Sequence, residues 1–406
     1  MAGWFDFVNG QTLPASRVQD YLMDQSVMVF DDAAARTAAL PSPTNGMVTY
    51  LLSPGELYVR TSTAWVKVID NNNLVNSLPR ARNLLINGSL EINQRNFIST
   101  TANGTYGFDR WFLRSNDTLA TYSTQAFAVG DLEVAGAVPR NFARIVTTGQ
   151  TAANTLTILR QLVEGVRNLA GKTVTFSFWA KAATGTPKIN VSLTQNFGGG
   201  SANVETVALP ATITTTWARY SFTINLPTIV GKTIGSAGND HIGASIFVSA
   251  GTDYPAVGFG IQSNTFDIWG VQLEESPVAT PFVRAATTLQ GELAACQRYY
   301  YRSTSDATNR FKVYGQGQGA NATAVQAQIQ FPVPLRIAPS AVEFSTLRVA
   351  DGVASISVSA LAMNSTQQSE SIGFVTATVS GATGYRPYVL QANDSTSSFI
   401  GFSAEL

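Results

Sequence analysis

Residues 82–95 read Arg82-Asn-Leu-Leu-Ile-Asn-Gly-Ser-Leu-Glu-Ile-Asn-Gln-Arg95 and form the most informative stretch of the chain. Three further motifs follow it: Gly107-Phe-Asp-Arg-Trp111, Trp269-Gly-Val-Gln-Leu-Glu-Glu275 and Glu292-Leu-Ala-Ala-Cys-Gln-Arg-Tyr-Tyr-Tyr301. The sequence between the second and third motifs alternates apolar and polar residues over many short segments, which is typical of antiparallel β structure. The motifs therefore bracket one large predicted β domain and the junction that follows it.

This large β domain is predicted over residues 82–284. Its strand candidates are 143–147, 155–160, 173–180, 188–193, 218–224, 244–248 and 265–273. In one of them Val174, Phe176 and Phe178 alternate with Thr and Ser, a period of two that predicts an antiparallel strand with one buried face. Many short antiparallel strands imply a sandwich or jelly roll, so the predicted fold class is mostly β.

In this order the motifs closely resemble the sandwich module of bacteriophage tail-fibre and other virion appendage proteins, a β-sandwich similar to carbohydrate-binding modules. The resemblance implies a protein that is not an enzyme and that attaches to the virus particle by its N-terminus. It also implies a homotrimer that binds a host-surface glycan through outward β domains. The implied partners of residues 1–69 are other virion proteins. The implied location is the particle surface, after assembly in the host cytoplasm.

Residues 1–69 are predicted to form a small α+β unit that serves as the anchor. Residues 16–23 fit a short helix, and Asp31 or Asp32 can cap a second, Ala-rich helix. Turn signals such as Asn45-Gly46 separate the strand candidates of this unit. These strand candidates are 27–30, 47–52, 56–60 and 64–68.

Two connecting segments are predicted from polarity and periodicity. Residues 70–81 contain three consecutive asparagines and a proline and are predicted to be a linker. Residues 285–302 are predicted to be a helical connector that places Leu289, Leu293 and Cys296 on one face. A thiol on that face is expected to be buried and to act as a small hydrophobic group.

Residues 303–406 are predicted to form a C-terminal β-sandwich at the tip. Its strand candidates are 311–314, 324–331, 354–359, 374–379, 388–390 and 400–404. The glycines of Gly315-Gln-Gly-Gln-Gly319 lack the Lys and Ser/Thr of a phosphate loop and predict a turn between strands. Residues 331–339 and 402–406 resemble the tip domain that follows the Arg-Tyr-Tyr motif in phage fibre proteins.

Composition excludes several classes of function. Lys plus Arg and Asp plus Glu both number 26, so the net charge is zero, and without a basic run we expect no nucleic-acid partner. One cysteine and one histidine argue against Cys-based or multi-His metal sites and against a Ser-His-Asp triad. We therefore expect no catalytic residue, no cofactor and no metal. The sequence shows no signal peptide and no apolar stretch approaching 18 residues, so we expect no membrane insertion.

Several residues suggest chemistry, but a structural role is favoured for each. Three tryptophans can stack on sugars yet occupy core-like strand positions: Trp179, Trp217 and Trp269. Asp109-Arg110 is expected to satisfy backbone groups beside a core Trp111. Glu274-Glu275 resembles half of a glycosidase pair but fits a strand end, and Asn239-Asp240-His241 fits a turn better than a Ca²⁺ site. Tyr299-Tyr-Tyr301 is expected to pack between domains or subunits.

The binding hypothesis places glycan recognition at exposed turns of the tip domain. A tyrosine at a turn can stack on a sugar ring, while Gln and Arg hydrogen-bond its hydroxyls. The candidate ligand-binding residues are Tyr314, Gln316, Gln318, Tyr385, Arg386 and Tyr388. The competing interpretation is that these tyrosines pack at a three-fold interface.

Two alternatives to a receptor-binding fibre stay open. The first is a purely structural virion protein, such as a capsid decoration, a collar fibre or a baseplate component, without a receptor. The second is a glycan depolymerase. Such spikes usually carry a long parallel β-helix, and the sequence has no solenoid period, which disfavours this alternative.

Overall fold

The computed structural model describes residues 12, 27–69, 83–134 and 137–406. The chain divides into two compact units, Met1–Arg80 and Ala81–Leu406. The helix predicted over residues 16–23, the predicted linker 70–81 and Arg82 of the opening motif lie outside the described residues. Within the described ranges, no helix has the length and apolar character needed to span a bilayer.

The first unit is the predicted small α+β fold. Its elements are β1 (Val27–Phe30), α1 (Ala33–Ala39), β2 (Val48–Leu51), β3 (Glu56–Arg60) and β4 (Trp65–Ile69). The sheet order is β1-β2-β3-β4, with β1 parallel to β2 and the other pairs antiparallel. Asp32 caps α1 as predicted, because its carboxylate accepts a hydrogen bond from the Ala35 N–H at 2.8 Å. Arg36 extends from α1 over the rings of Tyr58 and Trp65.

The second unit begins with the predicted β-sandwich. Its strands are β5 (Ser99–Thr100), β6 (Phe112–Ser115), β7 (Ala120–Ala126), β8 (Asn141–Thr147), β9 (Leu156–Glu164), β10 (Thr173–Ala182), β11 (Lys188–Asn196), β12 (Val204–Val207), β13 (Ala211–Thr212), β14 (Ala218–Asn225), β15 (His241–Ala250) and β16 (Asn264–Glu274). One sheet has the order β14-β10-β16-β8-β7-β5. The opposing sheet has the order β12-β11-β15-β9-β6, with β13 beside β11. The inward side chains of both sheets form one core, to which Phe176, Phe178, Val191 and Ile246 contribute.

The prediction that β10 has only one buried face was wrong. Val174, Phe176 and Phe178 enter the core as expected, but Thr175 and Ser177 on the other face are also buried. Residues 276–280 lie against that face, and the Thr175 hydroxyl donates to the carbonyl of Ser276 at 2.8 Å. Polar residues facing away from the core are therefore not always exposed to solvent.

The opening motif, residues 82–95, contributes to a buried network of hydrogen bonds in the sandwich. Asn87, at φ 58°, donates through its side chain to the carbonyls of Ile92 and Asp109, and its own carbonyl accepts from the indole of Trp111. At Gly88 the backbone approaches β16 so closely that a Cβ would lie 2.1 Å from the Val271 carbonyl oxygen. These contacts explain why Asn and Gly stand at these two positions.

The helical connector is shorter than predicted and buries a different face. Helix α2 spans Leu289–Gln297, and β17 (Tyr300–Thr304) follows it, so residues 300–302 are strand rather than helix. Leu289 is 44% exposed, whereas Glu292 and Cys296 are fully buried. Glu292 faces inward because its carboxylate accepts hydrogen bonds from the backbone N–H groups of Asn87 and Ala286. The predicted burial of Cys296 is confirmed.

The C-terminal region is the predicted second β-sandwich. Its further strands are β18 (Val313–Asn321), β19 (Ala324–Gln330), β20 (Ala341–Ser345), β21 (Leu347–Ala350), β22 (Ser355–Ser357), β23 (Ala360–Met363), β24 (Ile372–Thr378), β25 (Pro387–Ala392) and β26 (Phe399–Ser403). A three-stranded sheet, β17-β26-β20, and a seven-stranded sheet, β22-β21-β25-β18-β19-β24-β23, share one core. Residues 315–319 lie inside β18, so the predicted turn was wrong. The glycines face neighbouring strands closely, and a Cβ at Gly317 would lie 1.7 Å from the Gln326 carbonyl oxygen.

Candidate functional site

A cleft of about 210 Å³ lies on the outer face of the sheet β12-β11-β15-β9-β6. Its floor is a small apolar cluster that is separate from the main core: Leu156, Ile158, Phe247 and Val257. Its walls and rim add the polar side chains Arg114, Arg160, Glu205, Ser245 and Asp253, with Tyr254 at one edge. An apolar floor with a few polar groups is the usual composition of a small-ligand site.

Strand alternation and one short turn build this cleft. In β9, Leu159 joins the sandwich core, so its neighbours Ile158 and Arg160 face outward. The turn Pro255–Val257 follows β15 and contributes Val257 to the apolar floor. The side chain of Asn190 holds this turn by donating to the Val257 carbonyl at 2.8 Å. The cleft is therefore positioned by the sheet and not by a free loop.

Arg160 is the most buried of the charged residues that line the cleft. It lies over Gly243 of β15, where a Cβ would be 2.1 Å from the Arg160 Nη2 atom. Its Nε is buried and has no hydrogen-bond partner among the described residues. Burial, followed by the charge of Arg114, lowers the pKa of Arg160 to about 10. The guanidinium is thus still charged at neutral pH.

The other polar groups at the cleft are partly engaged. The Ser192 hydroxyl donates to Glu205 at 2.7 Å, and the Tyr254 hydroxyl accepts from the Asn116 side chain at 2.8 Å. The latter bond fixes the tyrosine ring at the cleft rim. Over residues 27–69, 83–134 and 137–406, no group of three His, Cys, Asp or Glu side chains could hold a metal.

Two of the six residues predicted to bind ligand are buried in the tip core. The Tyr314 hydroxyl donates to the Ser398 carbonyl at 2.8 Å, and the Tyr388 hydroxyl accepts from the Thr383 N–H at 3.0 Å. A buried ring offers no face to a sugar, so these two assignments were wrong. Both tyrosines lie on strands, as predicted, but the sequence did not show that their side chains face inward.

The other four predicted residues are exposed and lie near one another. Gln316 and Gln318 are on the outer face of β18, and their neighbours on β19 are Gln328 and Gln326. The backbone N–H of Tyr385 donates to the Gly319 carbonyl at 2.7 Å, which brings Tyr385 and Arg386 to this end of β18. Tyr385 is 89% exposed, and Arg386 forms an ion pair with Asp351 at 2.8 Å. None of the four lines the cleft.

Most of the tryptophans and carboxylates considered above have the structural roles that were favoured for them. Trp111 and Trp269 are buried, whereas Trp179 and Trp217 are only half-buried in an aromatic cluster beside Trp269. Glu274 ends β16 and accepts from the Thr280 N–H at 2.9 Å. Asp109 accepts from the backbone of Gln94 at 3.0 Å, as predicted. Its carboxyl is fully buried, which raises its pKa to about 6.

The Arg-Tyr-Tyr motif packs where the two β-sandwiches meet. The guanidinium of Arg110 lies 3.4 Å from the ring centre of Tyr299, and that of Arg95 lies 3.5 Å from the ring centre of Tyr300. Both tyrosines are buried. Arg110 also pairs with Glu405 near the end of the chain, so the predicted packing role between domains is confirmed.

Arg160 and the rest of the cleft were not identified from the sequence. The available signal was an arginine inside the apolar run Leu156-Thr-Ile-Leu-Arg-Gln-Leu-Val163. A charged residue at an outward position between Ile158 and Leu162 indicates that the outer face of this strand lies outside the sandwich core. The apolar residues beside it indicate that this face is partly shielded from solvent. The residues that complete the cleft come from distant strands, and their proximity depends on the sheet order.

The cleft lies in a domain that is similar to carbohydrate-binding sequences. The family model described as a carbohydrate binding domain matches residues 139–234, which include β9, β11 and β12. The match covers less than half of the chain. A comparison with curated protein sequences gave no match. The chain therefore contains a carbohydrate-binding-module-like domain.

Several solved structures match just under half of this chain at low identity. The enzymatically active domain of tailspike protein 4 of bacteriophage CBA120 is 13% identical over 47% of this chain and 21% of that chain, with a TM-score of 0.28. A CBM4 structure is 17% identical over 47% of this chain and 98% of its own, with a TM-score of 0.26. A CBM22 xylan-binding domain from Paenibacillus barcinonensis is 12% identical over 45% and 95%, with a TM-score of 0.26. These similarities are too distant to carry a functional inference.

Proposed function

We propose that the protein is a bacteriophage virion appendage that binds a host-surface glycan in the cleft of its β-sandwich, without cleaving it. The observation that carries the proposal is the position of the cleft. It lies partly on β9 and β12, which fall within the match to a carbohydrate binding domain, and it combines an apolar floor with outward-facing polar groups. Sugar rings have apolar faces and polar edges, so they complement such a surface.

The assembly follows from the resemblance of the motifs to those of phage fibre proteins. Residues 1–69 attach the protein to other virion proteins, and the two β-sandwiches face outward on the particle. The protein is a homotrimer, with a solution mass about three times the protomer mass of 43.3 kDa. The exposed Gln316, Gln318, Tyr385 and Arg386 remain candidates for a second contact with the glycan.

A cleft-blocking substitution tests the proposed site. Ala256 is exposed on the turn at the cleft rim, so Ala256→Trp can be accommodated while its ring covers the floor. Ala183→Trp is the matched control, because Ala183 is exposed on the same sandwich and does not line the cleft. Labelled protein carrying Ala256→Trp should lose binding to host cells, and the control should bind like the wild type. Equal binding by both variants would place the receptor site elsewhere.

The same experiment separates the two alternatives. A purely structural virion protein would label no host cells in any form. A depolymerase would release reducing ends from the host polysaccharide, which a colorimetric assay detects. We expect cell labelling that the cleft variant abolishes, and no release of reducing ends.

A further inference from the structure

We propose that the glycan bound in the cleft carries a carboxylate, as a uronic acid does, and that Arg160 binds this carboxylate. The inference rests on the proposed function, because it specifies the ligand of the same cleft. It concerns a chemical class that neither the fold nor the match to a carbohydrate binding domain specifies.

Arg160 lacks a directly paired carboxylate. No ion pair joins it to a carboxylate in residues 83–134 and 137–406, and its buried Nε has no hydrogen-bond partner there. Burying a guanidinium is unfavourable unless it is paired and hydrogen-bonded. Other partly or fully buried arginines of the second unit are paired, as Arg110 is with Glu405, or hydrogen-bonded, as Arg219 is to the Thr280 carbonyl. Arg160 differs from them in facing a cleft.

The charges around Arg160 favour the binding of an anion. Arg114 projects from the neighbouring strand and acts on Arg160 more strongly than Glu205 does. Glu205 is engaged by the Ser192 hydroxyl, and Asp253 is exposed at the rim. The position beside Arg160 is therefore favourable for an anion and has no protein carboxylate bound to it.

A guanidinium and a carboxylate also match each other in shape. The planar guanidinium donates two parallel hydrogen bonds to a carboxylate, a geometry that gives both affinity and orientation. The apolar floor formed by Ile158, Phe247 and Val257 continues from this position, so it can pack against the ring that bears the carboxylate. A free inorganic anion would leave that floor uncovered. A sugar acid fits both parts of the cleft.

The proposal is tested by affinity electrophoresis of the full-length protein in gels that contain one polysaccharide each. The panel comprises carboxylated chains (alginate, polygalacturonate, xanthan), neutral chains (arabinoxylan, galactan, β-glucan) and a sulfated chain (carrageenan). Each carboxylated chain that retards the protein is compared with its carboxyl-reduced form, which keeps the backbone and loses only the charge. The variants are Arg160→Gln and, as control, Arg167→Gln, an exposed arginine of the same sandwich away from the cleft.

We expect at least one carboxylated chain to bind, with carboxyl reduction or Arg160→Gln weakening it by about tenfold to a hundredfold. Arg167→Gln should bind like the wild type. Undiminished binding to the carboxyl-reduced polysaccharide, or a preference for a neutral or sulfated one, would contradict recognition of a carboxylate. Either result would leave the proposal of glycan binding intact. Retardation by no chain would contradict both proposals. If Arg160→Gln does not fold, the proposal is tested with the wild-type protein alone, by comparing its binding to each carboxylated polysaccharide and to the carboxyl-reduced form.

Discussion

Replacing Glu405 by Gln removes the carboxylate that neutralises the guanidinium of Arg110. The Arg110 side chain is only 1% exposed, and its Nη1 donates to Oε2 of Glu405. Its Nη2 donates to the Leu162 carbonyl, and its Cζ lies 3.4 Å from the ring centre of Tyr299. These contacts hold the guanidinium in place, so it cannot reach water when the partner charge is lost.

Removing one partner of a buried ion pair costs about 3–5 kcal/mol, because the other charge is left uncompensated. The amide oxygen of Gln can still accept one hydrogen bond, so we expect Glu405→Gln to lower the free energy of unfolding by about 3 kcal/mol. Glu275→Gln is the matched control. Its partner is Lys172, both side chains are substantially exposed, and such a pair contributes about 0–1 kcal/mol.

Urea denaturation of the full chain, followed by tryptophan fluorescence, measures both variants. The double variant Arg110→Met with Glu405→Gln should regain most of the lost stability, because it no longer buries an unpaired charge. A loss below about 1 kcal/mol for Glu405→Gln, equal to that for Glu275→Gln, would refute the reasoning.

Three further predictions concern other buried groups. Burial raises the pKa of Asp109, so the protonated carboxyl stabilises the folded state. This stabilisation is fully present below about pH 4 and is lost as the pH rises through about 6. The rise from 3.8 to about 6 corresponds to about 3 kcal/mol, so urea titrations at pH 4 and pH 7 should show a drop that Asp109→Asn reduces. Burial raises the pKa of the Cys296 thiol, so this thiol should react with a thiol reagent only after unfolding. Cys296→Ser should lower the free energy of unfolding by about 1–3 kcal/mol in the same urea assay. Rapid labelling of the native protein would contradict the burial of Cys296. Tyr388→Ala should cost about 3–5 kcal/mol and lower the melting temperature in calorimetry, whereas Tyr385→Ala should change stability by less than about 0.5 kcal/mol; equal effects would contradict their different burial.

The strands could be predicted from the sequence because alternation is a local signal. The bounds of β10 and β16 match the predictions to within two residues, and the cap at Asp32 was identified by residue type. The extended conformation of residues 315–319 was missed because glycine is frequent in turns. The Gly-Gln alternation there has the period of a strand, and the glycines are explained only by the close approach of β19.

Burial at the site was harder to predict, because it depends on segments far away in the chain. Tyr314 and Tyr388 were predicted at strand ends beside exposed turns, yet their rings enter the tip core, and this orientation depends on the sheet order. Leu289 was expected to be buried, but the hydrogen bonds of Glu292 to Asn87 and Ala286 set the face of α2. The cleft around Arg160 combines strands and a turn that are separated by up to about 140 residues, and periodicity does not show that they come together.

A crystal structure of the protein with the shortest oligosaccharide that binds it tests the central claim most directly. The account predicts a sugar ring over Ile158 and Val257, beside Tyr254, with its polar groups toward Arg160. Sugar bound only at the tip, next to Gln316 or Tyr385, would contradict the assignment of the cleft as the glycan site.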